Sequence, residues 1–152
     1  MASNMSNYLE GNLIGYLFRT QATFAKPTVI AVALSTSTTT DATTGSSFSE
    51  PATANGYVRA NDANGTGNTN PLDANWAAIS GNNGTTSNTN ALTWPANTTA
   101  DWGTITDVVI CDDAARVTGN AWFYGALTVA KPVSVGDIFK FNANQLVVQI
   151  DS

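Results

Sequence analysis

The sequence predicts a mainly β protein: a β-sandwich of jelly-roll type with one short N-terminal helix. Three observations predict it. Runs rich in branched and aromatic residues crowd the last third of the chain. Turn residues punctuate those runs at a spacing suited to seven or eight strands. No helical period recurs after residue 20. At 152 residues there is room for one domain with a real core and too little for two comfortable ones. The chain is therefore read as a single domain, 1–152, with a helix and anchor segment (1–26), long polar loops with short strands (36–90) and a β core (91–152).

The helix is expected over residues 6–20, where Leu9, Leu13 and Leu17 recur four apart with Tyr16 beside them. Ser6 or Asn7 can cap it, and Asn7 with Glu10 has capping-box spacing. Gly11 and Gly15 lower its intrinsic helicity, so the helix must dock on something to persist. The two glycines share a face, which either admits a partner's backbone or simply tolerates small residues. Residues 28–35 then read as a strand with two apolar faces, Ile30, Val32 and Leu34 against Val29, Ala31 and Ala33. Such a strand is central in its sheet or covered by the helix.

Between 36 and 90 the chain changes character. Thr38-Thr39-Thr40-Asp41, Asn55-Gly56, Asn64-Gly65 and Gly81-Asn82-Asn83-Gly84 are turn signals. Tyr57-Val58 and residues 76–79 are short apolar islands expected to add brief strands. The β core follows at 91–94, 104–111, 120–127, 138–141 and 146–150, with turns at Pro95, Trp102-Gly103, Gly119 and Val135-Gly136-Asp137. In 121–127, Phe123 and Leu127 fall on one face, Trp122 and Tyr124 on the other. A sandwich normally leaves its outer face polar, so aromatics on both faces imply a cover: the helix, a long loop or another subunit. The helix is the cheapest of the three.

Composition excludes several classes of function. Charged residues are only 11% of the chain, and Ser, Thr and Asn fill about a third of it. The net charge is −5, and the six basic residues, Arg19, Lys26, Arg59, Arg116, Lys131 and Lys140, are scattered. Neither feature suits nucleic acid, which requires clustered cations. Cys111 is the single cysteine, so no intrachain disulfide forms. No basic, apolar leader starts the chain and no apolar run is long enough for a membrane span. Synthesis and folding in a reducing cytoplasm, without a membrane partner, are expected.

Catalytic chemistry is poorly supplied. The chain has no His, which removes the commonest general base and metal ligand. Its only glutamates are Glu10 and Glu50, and the adjacent Asp112 and Asp113 would point to opposite faces of a strand, or start a turn. The expectation is a non-enzyme with no catalytic, cofactor-binding or metal residues. The best metal candidate is Asp62-Ala-Asn64-Gly-Thr66-Gly67-Asn68, with oxygen side chains at calcium-loop positions 1, 3 and 5, Gly at 6 and Asp73 at 12. No flanking helices support it, and an ordinary polar loop explains it as well. Trp76, Trp94, Trp102 and Trp122, with Tyr57 and Tyr124, could stack on sugars, but core or interface packing is the commoner role. The sequons at Asn64, Asn83 and Asn97 are chance matches in such a composition.

The chain resembles a family of small tailed-phage virion proteins, often labelled tail-fibre proteins and related to jelly-roll head-decoration proteins. At the N-terminal end the resemblance lies in Ser6-Asn-Tyr-Leu-Glu10, Leu13, Arg19-Thr20, Pro27, Val29-Ile-Ala-Val-Ala-Leu34, Ser35-Thr-Ser-Thr38, Thr40-Asp41, Thr44-Gly45 and Gly56-Tyr-Val-Arg59. At the C-terminal end it lies in Leu92-Thr-Trp-Pro95, Ala100-Asp-Trp-Gly-Thr-Ile-Thr106, Ile110-Cys-Asp112, Gly119-Asn120, Tyr124-Gly-Ala-Leu-Thr128, Lys131 and Gly136-Asp137. Residues 61–88 depart from it, being longer and richer in Asn and Gly.

The resemblance implies a virion protein, a trimeric or other multimeric assembly, and no catalytic residues. The leading expectation is a capsid decoration (cement) protein, a homotrimer binding between subunits of the major capsid protein, because a fibre shaft usually carries a repeat or coiled coil. The alternative is a tail-fibre component that contacts other tail proteins or presents loops to a host receptor glycan. A free-standing glycan-binding module has least support.

Overall fold

The computed structural model describes residues 4–21, 24–61, 76–79 and 84–150. Eight strands and one α-helix appear in the order β1 (Asn4–Met5), α1 (Asn7–Phe18), β2 (Ala31–Ser35), β3 (Thr85–Ser87), β4 (Leu92–Thr93), β5 (Gly103–Cys111), β6 (Ala121–Val133), β7 (Lys140–Phe141) and β8 (Val147–Gln149). One antiparallel sheet has the order β1-β6-β5-β2; β3–β8 and β4–β7 are two separate antiparallel ribbons. The chain is mainly β and forms a β-sandwich. Its main core joins Val32, Leu34, Ile105, Val108 and Val133 of the large sheet to Leu92, Trp94, Phe139 and Leu146 of the ribbon layer. Trp94, Phe139 and Phe141 meet edge to face there, with centroids 5.3–6.1 Å apart.

The helix is shorter than its periodicity suggested. Ser6 is the N-cap: its Oγ accepts from Leu9 N at 3.3 Å, so the Asn7–Glu10 capping-box spacing is out of register by one. Ser6 also donates its backbone N–H to Trp122 O at 3.0 Å and its hydroxyl to Ala121 O, riveting the helix start to β6. Leu9 is buried and Leu13 half-buried, but Tyr16 and Leu17 are exposed, so the expected stripe docks only along its first half. Gly15 does not meet a partner's backbone. Its missing Cβ makes room for Gln21, whose Oε1 would lie 2.0 Å from that atom, while Gly11 faces open space.

β2 is buried throughout, as its two apolar faces required, but the cover differs from the one expected. Val32 and Leu34 enter the main core, whereas Ala33 joins Phe48, Val109, Cys111, Ala121 and Tyr124 in a second cluster on the outer face. The loop carrying Phe48, not the helix, lies over β2. The helix covers β6 instead: Trp122 is held between Tyr8 (centroids 6.0 Å, tilted) and Phe24 (5.2 Å, stacked). The second face of 121–127 is thus covered by the helix segment and a long loop within one chain.

Neither expected island forms a strand: Tyr57-Val58 has no strand partner among the described residues, with a single bridge two residues on at Ala60–Val32, and residues 76–79 contribute only the Trp76–Asn88 bridge. β6 outruns its expected end by six residues. It also carries a large bulge, since Ile105 pairs with Lys131 but Asp107 with Ala126. Residues 127–130 of β6 therefore stand opposite the single Thr106.

Candidate functional site

The most constrained part of the molecule is built around Glu50 and Arg59, which the sequence placed merely in a loop and among scattered cations. Both side chains are buried, and they pair at 2.7 Å. Arg59 uses all five donors: Nε to Glu50 (3.0 Å), Nη1 to the carbonyls of Asp113 and Thr118 (both 3.0 Å), Nη2 to Gly45 O (2.6 Å) and to Glu50 (2.7 Å). Glu50 also accepts from the Tyr57 hydroxyl (2.9 Å) and Val117 N (3.0 Å). A buried ion pair persists only when its remaining donors and acceptors are also satisfied, and here they are. Phe48 lies under the guanidinium, its centroid 5.8 Å from Cζ.

This clasp joins three segments: 45–50, 57–59 and the β5–β6 connection at 112–120. Gly45 is needed at the junction, because a Cβ there would fall 2.1 Å from Thr118 O. Arg116 adds bonds to Glu50 O (2.8 Å) and Pro51 O (2.9 Å). Asp112 closes the connection by accepting from Asn120 N (2.6 Å), Asn120 Nδ2 (2.9 Å) and Trp122 Nε1 (3.2 Å). Burial alone would raise its pKa, but these donors outweigh it and hold the carboxyl below its usual range. The clasp bends Val117 to φ 62° with an exposed side chain, a rare state for a β-branched residue.

The titratable groups around the clasp are engaged by internal contacts. Burial pushes the Tyr57 hydroxyl well above its ordinary range, with Glu50 adding to the effect. Burial likewise pushes the Cys111 thiol up to about 12, which keeps it protonated and inert. Asp112 and Asp113 begin a turn, the second accepting from Ala115 N at 2.8 Å. Among the described residues no three His, Cys, Asp or Glu side chains converge. The calcium-like stretch from Asp62 through Asn64, Thr66 and Asn68 to Asp73 lies outside the described residues.

The aromatic platform does not form. Trp94, Trp102 and Tyr57 are core residues; Trp102 donates Nε1 to Asn55 O at 2.9 Å. Trp76 and Trp122 line a groove of about 570 Å³ alongside Ile30, Ile79 and Phe123. Of the three sequons, Asn97 is buried, while Asn64 and Asn83 lie outside the described residues.

Three surfaces carry open apolar groups: the groove beside Trp76 and Trp122, the free half of α1, and a groove beside β6. The free half of α1 exposes Ile14, Leu17 and Phe18, the last 78% accessible. A groove of about 510 Å³ lies between the β6 bulge and β7, where Leu127, Val129, Ile138 and Phe141 alternate with the polar Thr128, Lys131, Lys140 and Gln145. Val129 is 78% and Ile138 56% exposed. Sequence reading found the helix stripe but not which half stays bare. It missed the groove, since a four-residue bulge leaves no trace in the alternation of β6.

A small β-sandwich whose buried charges are spent on holding loops, with bare apolar ends, has the makings of a structural protein. Residues 4–149 match the model of the podophage GP4 fiber I protein gp80 family, so the chain belongs to that family of phage fibre proteins, structural components of the virion. No curated protein matches the chain.

Proposed function

We propose that the protein is a non-enzymatic structural subunit of a phage fibre, working through contacts with copies of itself and with other virion proteins. The observation that carries this reading is the family match over 4–149. It favours the fibre alternative over the capsid decoration role that the missing shaft repeat put first. Two features support assembly over catalysis: the chain contains no His, and its buried ionisable pair is saturated by internal bonds. The homotrimer expected from the resemblance is one closed assembly compatible with this reading. A host glycan would have to be met by surfaces other than Trp94 and Trp102, which are internal.

Cryo-EM of intact virions, with this protein tagged at its C-terminus, tests the placement. Added density on fibres projecting from the particle is the expected result. Density spread over the capsid lattice would restore the decoration role and remove the fibre one.

A further inference from the structure

Two of the open surfaces, the free half of α1 and the groove beside β6, are complementary. In α1, Glu10, Ile14, Leu17 and Phe18 are spaced i, i+4, i+7, i+8 and all are exposed, so they form one stripe opposite buried Leu9. Glu10 is the only charged residue among the twelve of the helix. The groove beside the β6 bulge is lined by Leu127, Val129, Ile138 and Phe141, and by two cations, Lys131 and Lys140. No acid lines it among the described residues; nearby, Asp137 accepts from Ser134 N and Asp101 from Val135 N, both at 2.9 Å, which turns these carboxylates toward their own backbone. In a chain of net charge −5, a groove lined by two cations and no described acid suits an acid-bearing partner with apolar side chains.

The edges of β6 and β7 give that groove its shape. β6 pairs with β5 on one side and with β1 only at Phe123 and Tyr124 on the other. β7 pairs with β4 but not with β6. Residues 127–130 have no register partner on either side among the described residues. The wall is thus held at both ends and open along its length. An amphipathic helix laid into an apolar groove is a common recognition mode, with anchors at the spacing seen in α1.

We propose that the exposed stripe of α1 docks in the β6–β7 groove of a second copy of this chain, Glu10 facing Lys131 and Lys140. No residue of α1 lines the groove of its own chain, so each copy offers one stripe and one groove. Contacts of this heterologous kind close into a ring or propagate as a filament, as a fibre subunit requires. The proposal rests on the reading of the protein as a self-assembling subunit and names the surfaces that do it.

The test uses the full chain in sedimentation velocity. The wild type should form a discrete multimer that dissociates on dilution. Leu17→Asp/Phe18→Asp destroys the stripe and Val129→Asp/Ile138→Asp the groove; all four sites are exposed, and circular dichroism checks that the fold is kept. Each variant alone should be monomeric. Mixed one to one they should form a heterodimer and nothing larger, because only one good stripe and one good groove remain. As a milder pair, Glu10→Lys should weaken association several-fold, and Lys131→Glu/Lys140→Glu in the partner should restore it. A wild type that stays monomeric at every concentration overturns the proposal, as does a variant that still assembles alone or a mixture that stays monomeric. Virion imaging is independent of these outcomes: a multimer built on other surfaces would remove this contact and leave the fibre placement standing.

Discussion

β2 and β6 both run along a margin of the large sheet, and the chain treats them in opposite ways. On β2 the outer edge is closed completely. Val32 exchanges two backbone bonds of 2.9 Å with Ala60, Leu34 N donates to the Tyr57 hydroxyl (2.9 Å), and Thr36 N donates to Ser49 O (2.8 Å). Those partners are themselves fixed by the Glu50–Arg59 clasp. On β6 the edge is guarded for two residues by β1 and then left open, with Lys131 and Pro132 near its end as the usual deterrents to uncontrolled pairing. One margin is closed by backbone bonds and the Tyr57 hydroxyl, held in place by a buried ion pair; the other is open. The difference separates the part that holds the fold from the part proposed to meet a partner.

The largest way to break that contrast is Arg59→Ala, which strands the Glu50 charge and frees the carbonyls of Gly45, Asp113 and Thr118. It should lower unfolding stability by about 3–5 kcal/mol in urea denaturation, the range for breaking a buried pair. Tyr57→Phe keeps the packing but removes the partner of Leu34 N and one donor to Glu50. A loss of about 1–3 kcal/mol is expected by the same measurement.

Asp112 sharpens the contrast through pH. Its folded pKa lies below the ordinary carboxylate value. Its stabilisation is therefore complete above the unfolded pKa of about 4 and is lost as pH falls through the folded value. Asp112→Asn should flatten the acid limb of a stability–pH profile below about pH 4 and leave its shape near neutrality unchanged.

Val117→Gly releases a β-branched residue from φ 62° and should raise stability by up to about 1 kcal/mol, part of the relief being offset by the added freedom of the unfolded chain. Smallest of all, Val129→Ser on the open margin should move stability by less than about 0.5 kcal/mol, although it lies in the surface proposed to meet a partner.

The legible parts of the fold were those where one residue type repeats at a fixed period. The first half of the helix stripe, the two-faced strand expected at 28–35 and found at Ala31–Ser35, and the aromatics of 121–127 each announced burial, and the need for a cover on Trp122 and Tyr124 was correct. The identity of the cover over β2 was not legible, because Phe48 reaches it through a long loop whose path has no sequence period. Glu50 and Arg59 looked like isolated surface charges, nine residues apart in a polar stretch. Only the folded chain brings Asp113, Thr118 and Gly45 around them. The groove was hidden for a similar reason: its shape comes from a bulge, and a bulge is set by the pairing of two distant strands rather than by either strand alone. Of the resemblance-based expectations, phage virion membership holds and the fibre label fits the family.

Hydrogen–deuterium exchange of the wild-type chain at high and low concentration addresses the separation of fold and assembly most directly. The expected result is concentration-dependent protection at residues 14–18 and 127–141, with 45–59 and 112–120 equally protected at both concentrations. Protection that changes with concentration in the clasp segments, or nowhere in the chain, would contradict it.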